Sequence, residues 1–179
     1  MTPTLQTSQR PRIAALRADS SEAVQALMES FALDLRAQGF VVAGVVQTRV
    51  PDEATGRKRI VLRDLENGEL YPISQDLGPG SVACNLDAGE LALACGAVER
   101  AAARGVDLIV LSKFAKQEAS RGGLSDAFRC AMVAKAPVIA SVSPDFLEEW
   151  RAFAGHLSEF VEPSREALEA WWTRVRRSG

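Results

Sequence analysis

Histidine is nearly absent from this chain. His156 is the single copy in 179 residues, so a histidine-based metal cluster is excluded and a Ser-His-Asp triad would have to be built on that one side chain. No Gly-x-Ser-x-Gly nucleophile elbow occurs anywhere. His156, set among Phe153, Gly155 and Leu157, is expected to be a tucked structural residue. Cys84, Cys95 and Cys130 are odd in number and widely spaced, which fits neither a disulfide framework nor a Cys-x-x-Cys knuckle. Buried or free thiols are expected, with Cys84 also a candidate ligand or reactive thiol. The longest apolar runs fall far short of the ~18 to 20 residues that cross a bilayer, and the stretch from Met1 to Arg12 has no hydrophobic signal core. No membrane insertion and a cytoplasmic location are expected.

A strong excess of one charge is missing too. The formal net charge is -2, and the one basic cluster is Arg174, Arg176 and Arg177. That excludes the broad positive field on which nucleic-acid binding depends. What is present, 47% hydrophobic and 25% charged residues, suits one compact domain burying roughly 70% of its unfolded surface. Residues 1–11, rich in Thr, Ser, Gln and Pro, read as a disordered lead-in, and residues 12–179 as a single α/β domain.

Within that domain strands and helices alternate. Ile13-Ala14-Ala15-Leu16 reads as a strand, and Asp19-Ser20-Ser21-Glu22 supplies cap chemistry for a helix carrying Val24, Leu27, Met28, Phe31 and Leu35. Gly39 ends that helix, and Phe40 to Val46 is a second strand, giving a parallel βαβ unit. Asn67-Gly68 between Arg59–Leu65 and Glu69–Ile73 is a hairpin signal. Asp87 caps a helix that stops at Gly105, before the apolar strand that starts at Asp107. Leu124 to Ala134 is a helix, Pro137 to Val142 a strand, and Ser143-Pro144-Asp145 starts a helix with Phe146, Trp150 and Phe153. Leu157 to Val161 is a short last strand, and Glu166 to Arg176 a closing helix. The adjacent Trp171 and Trp172 are not expected both to face inward, which leaves one for an oligomer contact. A three-layer α/β domain follows.

Two turns could carry chemistry. The first strand-to-helix turn, Leu16-Arg17-Ala18-Asp19-Ser20-Ser21-Glu22, lies where a phosphate loop would lie, at a helix end with unpaired amides. It has no glycine and no lysine, which a working P-loop needs. Arg17, Ser20 and Ser21 can still hold a smaller oxyanion, or the turn is simply a well-capped helix start. The second turn follows the apolar strand Leu108 to Leu111, at the end where open α/β sheets bind ligands. Lys113, Lys116 and Arg121 are expected to converge there on one anion, with Glu118 orienting it and Gly122-Gly123 shaping the backbone. Gly78-Pro79-Gly80 is a turn that could form a lid.

The strings Val42 to Gln47, Ile73 to Gly78, Cys84 to Asp87, and Leu111-Ser112-Lys113-Phe114-Ala115-Lys116-Gln117-Glu118-Ala119 with Gly123-Leu124 together resemble a bacterial domain of unknown function related to P-loop nucleoside triphosphatases. Members of that family are often described beside molybdenum ABC-transporter components. The chain is also similar, more distantly, to small nucleoside triphosphatases in which the loop after the central strand carries an Asp-Glu pair followed by Ile-Gly-Lys-Met-Glu. Here Ser112-Lys113 stand where those acids would be, while Lys116 and Glu118 keep the later Lys and Glu. The resemblance implies a P-loop-NTPase-like parallel sheet with an inserted β-hairpin and a degenerate P-loop. It further implies non-hydrolytic binding of a nucleotide, or of an oxyanion such as molybdate, in an accessory or regulatory role. Gln47, Ser74 and Gln75, inside the resembling strings, join Arg17, Ser20, Ser21, Lys113, Lys116, Glu118 and Arg121 as ligand-binding candidates. The alternatives are an atypical triphosphatase using Glu118 and Lys113, and a regulatory interaction module with a vestigial site. No metal ligands are assigned, no cofactor is identified, and a homo-oligomer stays open.

Overall fold

The computed structural model describes residues 10–19, 21–75 and 85–178. Ser20, the Gly78-Pro79-Gly80 turn and Cys84 lie outside those residues. Nine strands and six helices run in the order β1 (Ile13–Arg17), α1 (Glu22–Ala37), β2 (Val42–Pro51), β3 (Lys58–Asp64), β4 (Leu70–Pro72), β5 (Ser74–Gln75), β6 (Asn85–Leu86), α2 (Ala88–Arg104), β7 (Leu108–Phe114), α3 (Lys116–Ala119), α4 (Ser125–Val133), β8 (Val138–Val142), α5 (Leu147–Ala154), β9 (Ser158–Val161) and α6 (Arg165–Arg176) among the described residues.

Seven of the strands form one sheet in the order β4-β3-β2-β7-β8-β1-β9. Neighbours from β2 to β9 are parallel, whereas β3 is antiparallel to both β2 and β4. The parallel strands are apolar on both sides because helices cover both faces. Ile13, Ala15, Ile109, Leu111, Val138 and Ala140 face a core shared with α2, α4 and α5. Their alternates Ala14, Leu16, Leu108, Val110 and Ile139 face the core under α1 and α6. Helices, sheet and helices thus make three layers, a mixed α/β architecture consistent with a P-loop-like fold.

Local signals explain the helix ends. Asp87 accepts from the amides of Gly89 and Glu90 to start α2, Gly105 ends it at φ 83°, and the Ser164 hydroxyl accepts from the Ala167 amide to start α6.

Four sequence expectations need correction. His156, expected to be tucked in, is exposed in the turn between α5 and β9. β2 continues through Pro51, well past Val46, because its outer half pairs with β3 from Val45↔Asp64 to Pro51↔Lys58. β7 runs on through Ser112, Lys113 and Phe114, so Lys113 belongs to the strand, with a register irregularity between Leu111 and Lys113 against β8. Trp171 and Trp172 are both buried, at 1% and 6% exposure, since Phe40 meets the Trp172 ring edge-on at 5.3 Å while Trp171 enters the sheet core.

Candidate functional site

The loop after β7 is organised from the inside by a carboxylate. Glu118 is 3% exposed. Its Oε2 accepts from the Ala115 amide at 3.0 Å and its Oε1 from the Leu124 amide at 3.0 Å. One side chain thereby ties the start of α3 to the start of α4. Its backbone carbonyl accepts from the Ser125 hydroxyl at 3.1 Å and from the Arg121 amide at 3.0 Å. Burial pushes the Glu118 carboxyl above the usual range, with the Leu124 and Ala115 amides and the nearby Lys113 charge pulling the other way. Its two oxygens are thus occupied by backbone donors, an arrangement that braces the loop where the sequence reading assigns ligand orientation or catalysis.

That brace fixes what surrounds it. Arg121 adopts a left-handed backbone at φ 64°, uncommon outside glycine and a conformation that recurs at ligand clamps. It lines a cleft of about 420 Å³ together with Phe114, Glu118, Arg129, Glu149 and Phe153, a volume within the range of small-molecule sites. Behind its Phe114 and Phe153 lies an aromatic cluster, in which Phe114, Phe128, Trp150 and Phe153 have every pair of ring centroids between 5.1 and 6.3 Å. Phe114 joins it because it is the last residue of β7. Arg129, on α4, stacks its guanidinium 5.7 Å above the Phe153 ring and pairs with Asp126 at 2.7 Å. Lys113 is half-buried at the end of β7 and Lys116 is exposed at the start of α3; the cleft wall contains neither. The structure thus brings Arg121 together with Arg129, a residue the sequence reading missed.

Between the middle of β2 and the end of β7 sits a neutral amide. Gln25, 4% exposed on the first turns of α1, donates from Nε2 to the Ser112 carbonyl at 2.8 Å and accepts at Oε1 from the Gln47 amide at 2.8 Å. The Ser141 hydroxyl also donates to the Ser112 carbonyl, at 2.7 Å. The Ser112 hydroxyl and the Gln47 side-chain oxygen are buried without hydrogen-bond partners among the described residues. One sequence signal could have found Gln25: a polar side chain in line with Met28, Ala32 and Leu35 on the buried stripe of α1.

The remaining candidates are dispersed. Ser21 is the α1 N-cap, its hydroxyl accepting from the Val24 amide at 3.4 Å. Arg17 ends β1 exposed to solvent. The Ser74 hydroxyl accepts from the Ile60 amide at 3.0 Å, a contact that joins β5 to β3, and Gln75 closes β5. Among the described residues no group of three or more His, Cys, Asp or Glu side chains is placed to hold a metal, and no helix is long and apolar enough to cross a membrane.

A family model matches residues 13–171. The chain belongs to the family described as "Protein of unknown function (DUF2478)". The family resemblance read from the sequence is thereby upheld, and the molybdenum connection also has a counterpart. The chain is 38% identical over 161 residues to "Molybdenum import ATP-binding protein ModC 2" of Bradyrhizobium diazoefficiens. The match covers 90% of this chain and 18% of that relative, so the chain spans less than a fifth of the relative's length. No solved structure matches the chain significantly.

Proposed function

We propose that this member of the family binds a phosphate-bearing ligand such as a nucleotide, or a related oxyanion such as molybdate, without hydrolysing it. Its setting is an accessory or regulatory role in molybdenum handling. The observation that carries the reading is the cleft at the C-terminal end of β7, which Arg121 and Arg129 both line, with Glu149 also in the lining. Guanidinium groups suit phosphate and similar oxyanions because their planar donors engage two oxygens at once. Lys113 and Lys116 flank the same loop, and Arg17 at the end of β1 and Ser21 at the start of α1 offer a further position. The similarity to a protein named as a molybdenum-import ATP-binding protein supports the choice of ligand class.

Three residue-level facts support binding over turnover. The β1–α1 turn carries neither glycine nor lysine, the end of β7 carries Ser112 and Lys113 in place of two acids, and both Glu118 oxygens hold backbone amides. Groups that hold magnesium and offset charge in phosphoryl transfer are worth several powers of ten in rate. Isothermal titration with ATP, ADP, phosphate, molybdate and tungstate, paired with a phosphate-release assay with and without magnesium, tests the proposal. Saturable heat without phosphate release is expected. Dilution heat alone for every compound sinks it, and release abolished by Glu118→Ala replaces it with a triphosphatase.

A further inference from the structure

Where β1 and β8 begin, on the far side of Met132 from this cleft, the structure holds cations that the reading above does not use. Two small adjoining cavities open there. One, of about 30 Å³, has Arg10, Arg12 and Lys135 in its wall. The other, of about 70 Å³, has Arg10, Arg12, Arg174 and Ser178. Among the described residues no carboxylate lines either cavity.

Lys135 and Arg174 have an ordinary explanation, since they sit at the C-terminal ends of α4 and α6, where the helix dipole favours positive charge. Arg174 also pairs with Glu159 at 2.6 Å. Arg10 and Arg12 have none. They arrive on the strand that becomes β1, and no ion pair to either occurs among the described residues. The Nε of Arg12 is shut off from solvent with no hydrogen-bond acceptor among the described residues. Arg12 is partly buried, and a charged donor shut off from solvent without an acceptor is costly, so its Nε carries a hydrogen-bonding demand that no described residue meets.

The root of that side chain is fixed. The Arg12 amide donates to the Leu157 carbonyl at 3.0 Å, and its carbonyl accepts from the Val138 amide at 2.9 Å, so the residue is clamped between the starts of β8 and β9. Lys135 is held in a left-handed backbone at φ 56°, in the turn between α4 and β8. The cationic wall is therefore built on restrained backbone.

We infer that this notch is a second anion site, taking a tetrahedral oxyanion such as phosphate, sulfate or molybdate, with Arg12 and Arg10 as its principal donors. Size agrees with charge. At the ~10–15 Å³ that one water requires, the larger cavity holds about five water-sized atoms, as many as a central atom with its four oxygens. Its cations are distinct from those of the cleft beside Arg121, although Met132 lines both, and the failure of either proposal leaves the other standing.

The test is a ¹H–¹⁵N spectrum of the full chain titrated with sodium phosphate, sodium molybdate and AMP, with ionic strength held constant by sodium chloride. Saturable shifts are expected at the amides of Arg12, Lys135, Ala136 and Ser178. They should weaken about tenfold or more in Arg10→Gln/Arg12→Gln, the scale set by losing a charge-assisted hydrogen bond, and persist in Arg121→Ala. Arg10→Gln alone, with an unchanged urea midpoint, serves if the double variant does not fold. A response to phosphate and molybdate but not AMP marks the free anion as the ligand, and a response to all three marks a phosphate group carried on a larger molecule. Shifts reproduced by sodium chloride, or shifts unaltered in the arginine variants, overturn the site.

Discussion

The carboxylate of Glu118 occupies the space that a β-carbon on Gly123 would require. Gly123 also has φ 55°, so an alanine there meets backbone strain of about 1 kcal/mol and displaces an acceptor held by two amides, at about 1–3 kcal/mol. Gly123→Ala is expected to lower stability by about 2–4 kcal/mol, read as a shifted urea midpoint. A midpoint equal to wild type would show that Glu118 does not brace the loop.

The same carboxylate gives a pH signature. Its pKa in the folded chain is raised by burial above the ordinary 4.5, so the folded state holds the proton more tightly than the unfolded one. The stability this contributes is fully present below about 4.5 and is lost as pH rises through the folded value. Other carboxylates obscure the effect in absolute terms, so the quantity to follow is the stability of wild type minus that of Glu118→Gln. That difference should shrink as pH rises from 4 toward neutrality. A difference that grows over that range contradicts a raised pKa.

Gly44 predicts a more severe failure. Its φ is 123°, and an added β-carbon would overlap the backbone carbonyl of Val110, its register partner on β7. Side chains rarely adopt that conformation, and the neighbour is backbone that cannot turn away. Gly44→Ala should cost about 3 kcal/mol or more, measured by calorimetry or as loss of soluble protein. Near-wild-type melting would mean the two strands can separate freely.

Gln25→Met keeps size and removes both hydrogen bonds. The Gln47 amide then loses its acceptor, whereas the Ser112 carbonyl keeps Ser141. About 1–3 kcal/mol of destabilisation is expected, along with faster hydrogen exchange at the Gln47 amide specifically. Uniform acceleration across the sheet, with no excess at Gln47, would argue against a local tie.

For the cleft, Arg121→Ala and Arg129→Ala should each weaken oxyanion or nucleotide binding about tenfold, and Lys116→Ala far less, because the first two line the cavity. Titration calorimetry on the three variants decides it. Equal losses in all three would indicate a diffuse charge effect in place of a defined site.

Legibility from sequence followed how local each cause is. Asp87 and Gly105 bound α2 through contacts within a few residues, so the helix could be read directly. The apolar run at Leu108 to Leu111 announced a buried strand, and Arg121 lines a cleft at its C-terminal end. Causes that cross the fold were hidden. Trp172 is buried because Phe40, more than a hundred residues earlier, closes over it. The tie made by Gln25 depends on β2 and β7 arriving beside α1, and Arg129 enters the cleft wall only once α4 is docked. Lys113 looked like a loop residue because its membership of β7 depends on pairing with Ser141 of β8.

β2 is built in at one end and free at the other. Its first residues, Val42 to Val45, are held by β7, and beyond Val45 its one strand partner is β3, with α1 reaching as far as the Gln47 amide and burial fading toward Pro51. It is a cantilever, and the turn at residues 52–57 is its tip. A load applied at that tip by any contacting surface travels along continuous backbone to the fixed end at Gly44, where the Val110 carbonyl leaves no slack. Gln25 of α1 bridges the same two strands, so the tip, the helix and the strand that ends beside the Arg121 cleft are joined at one point.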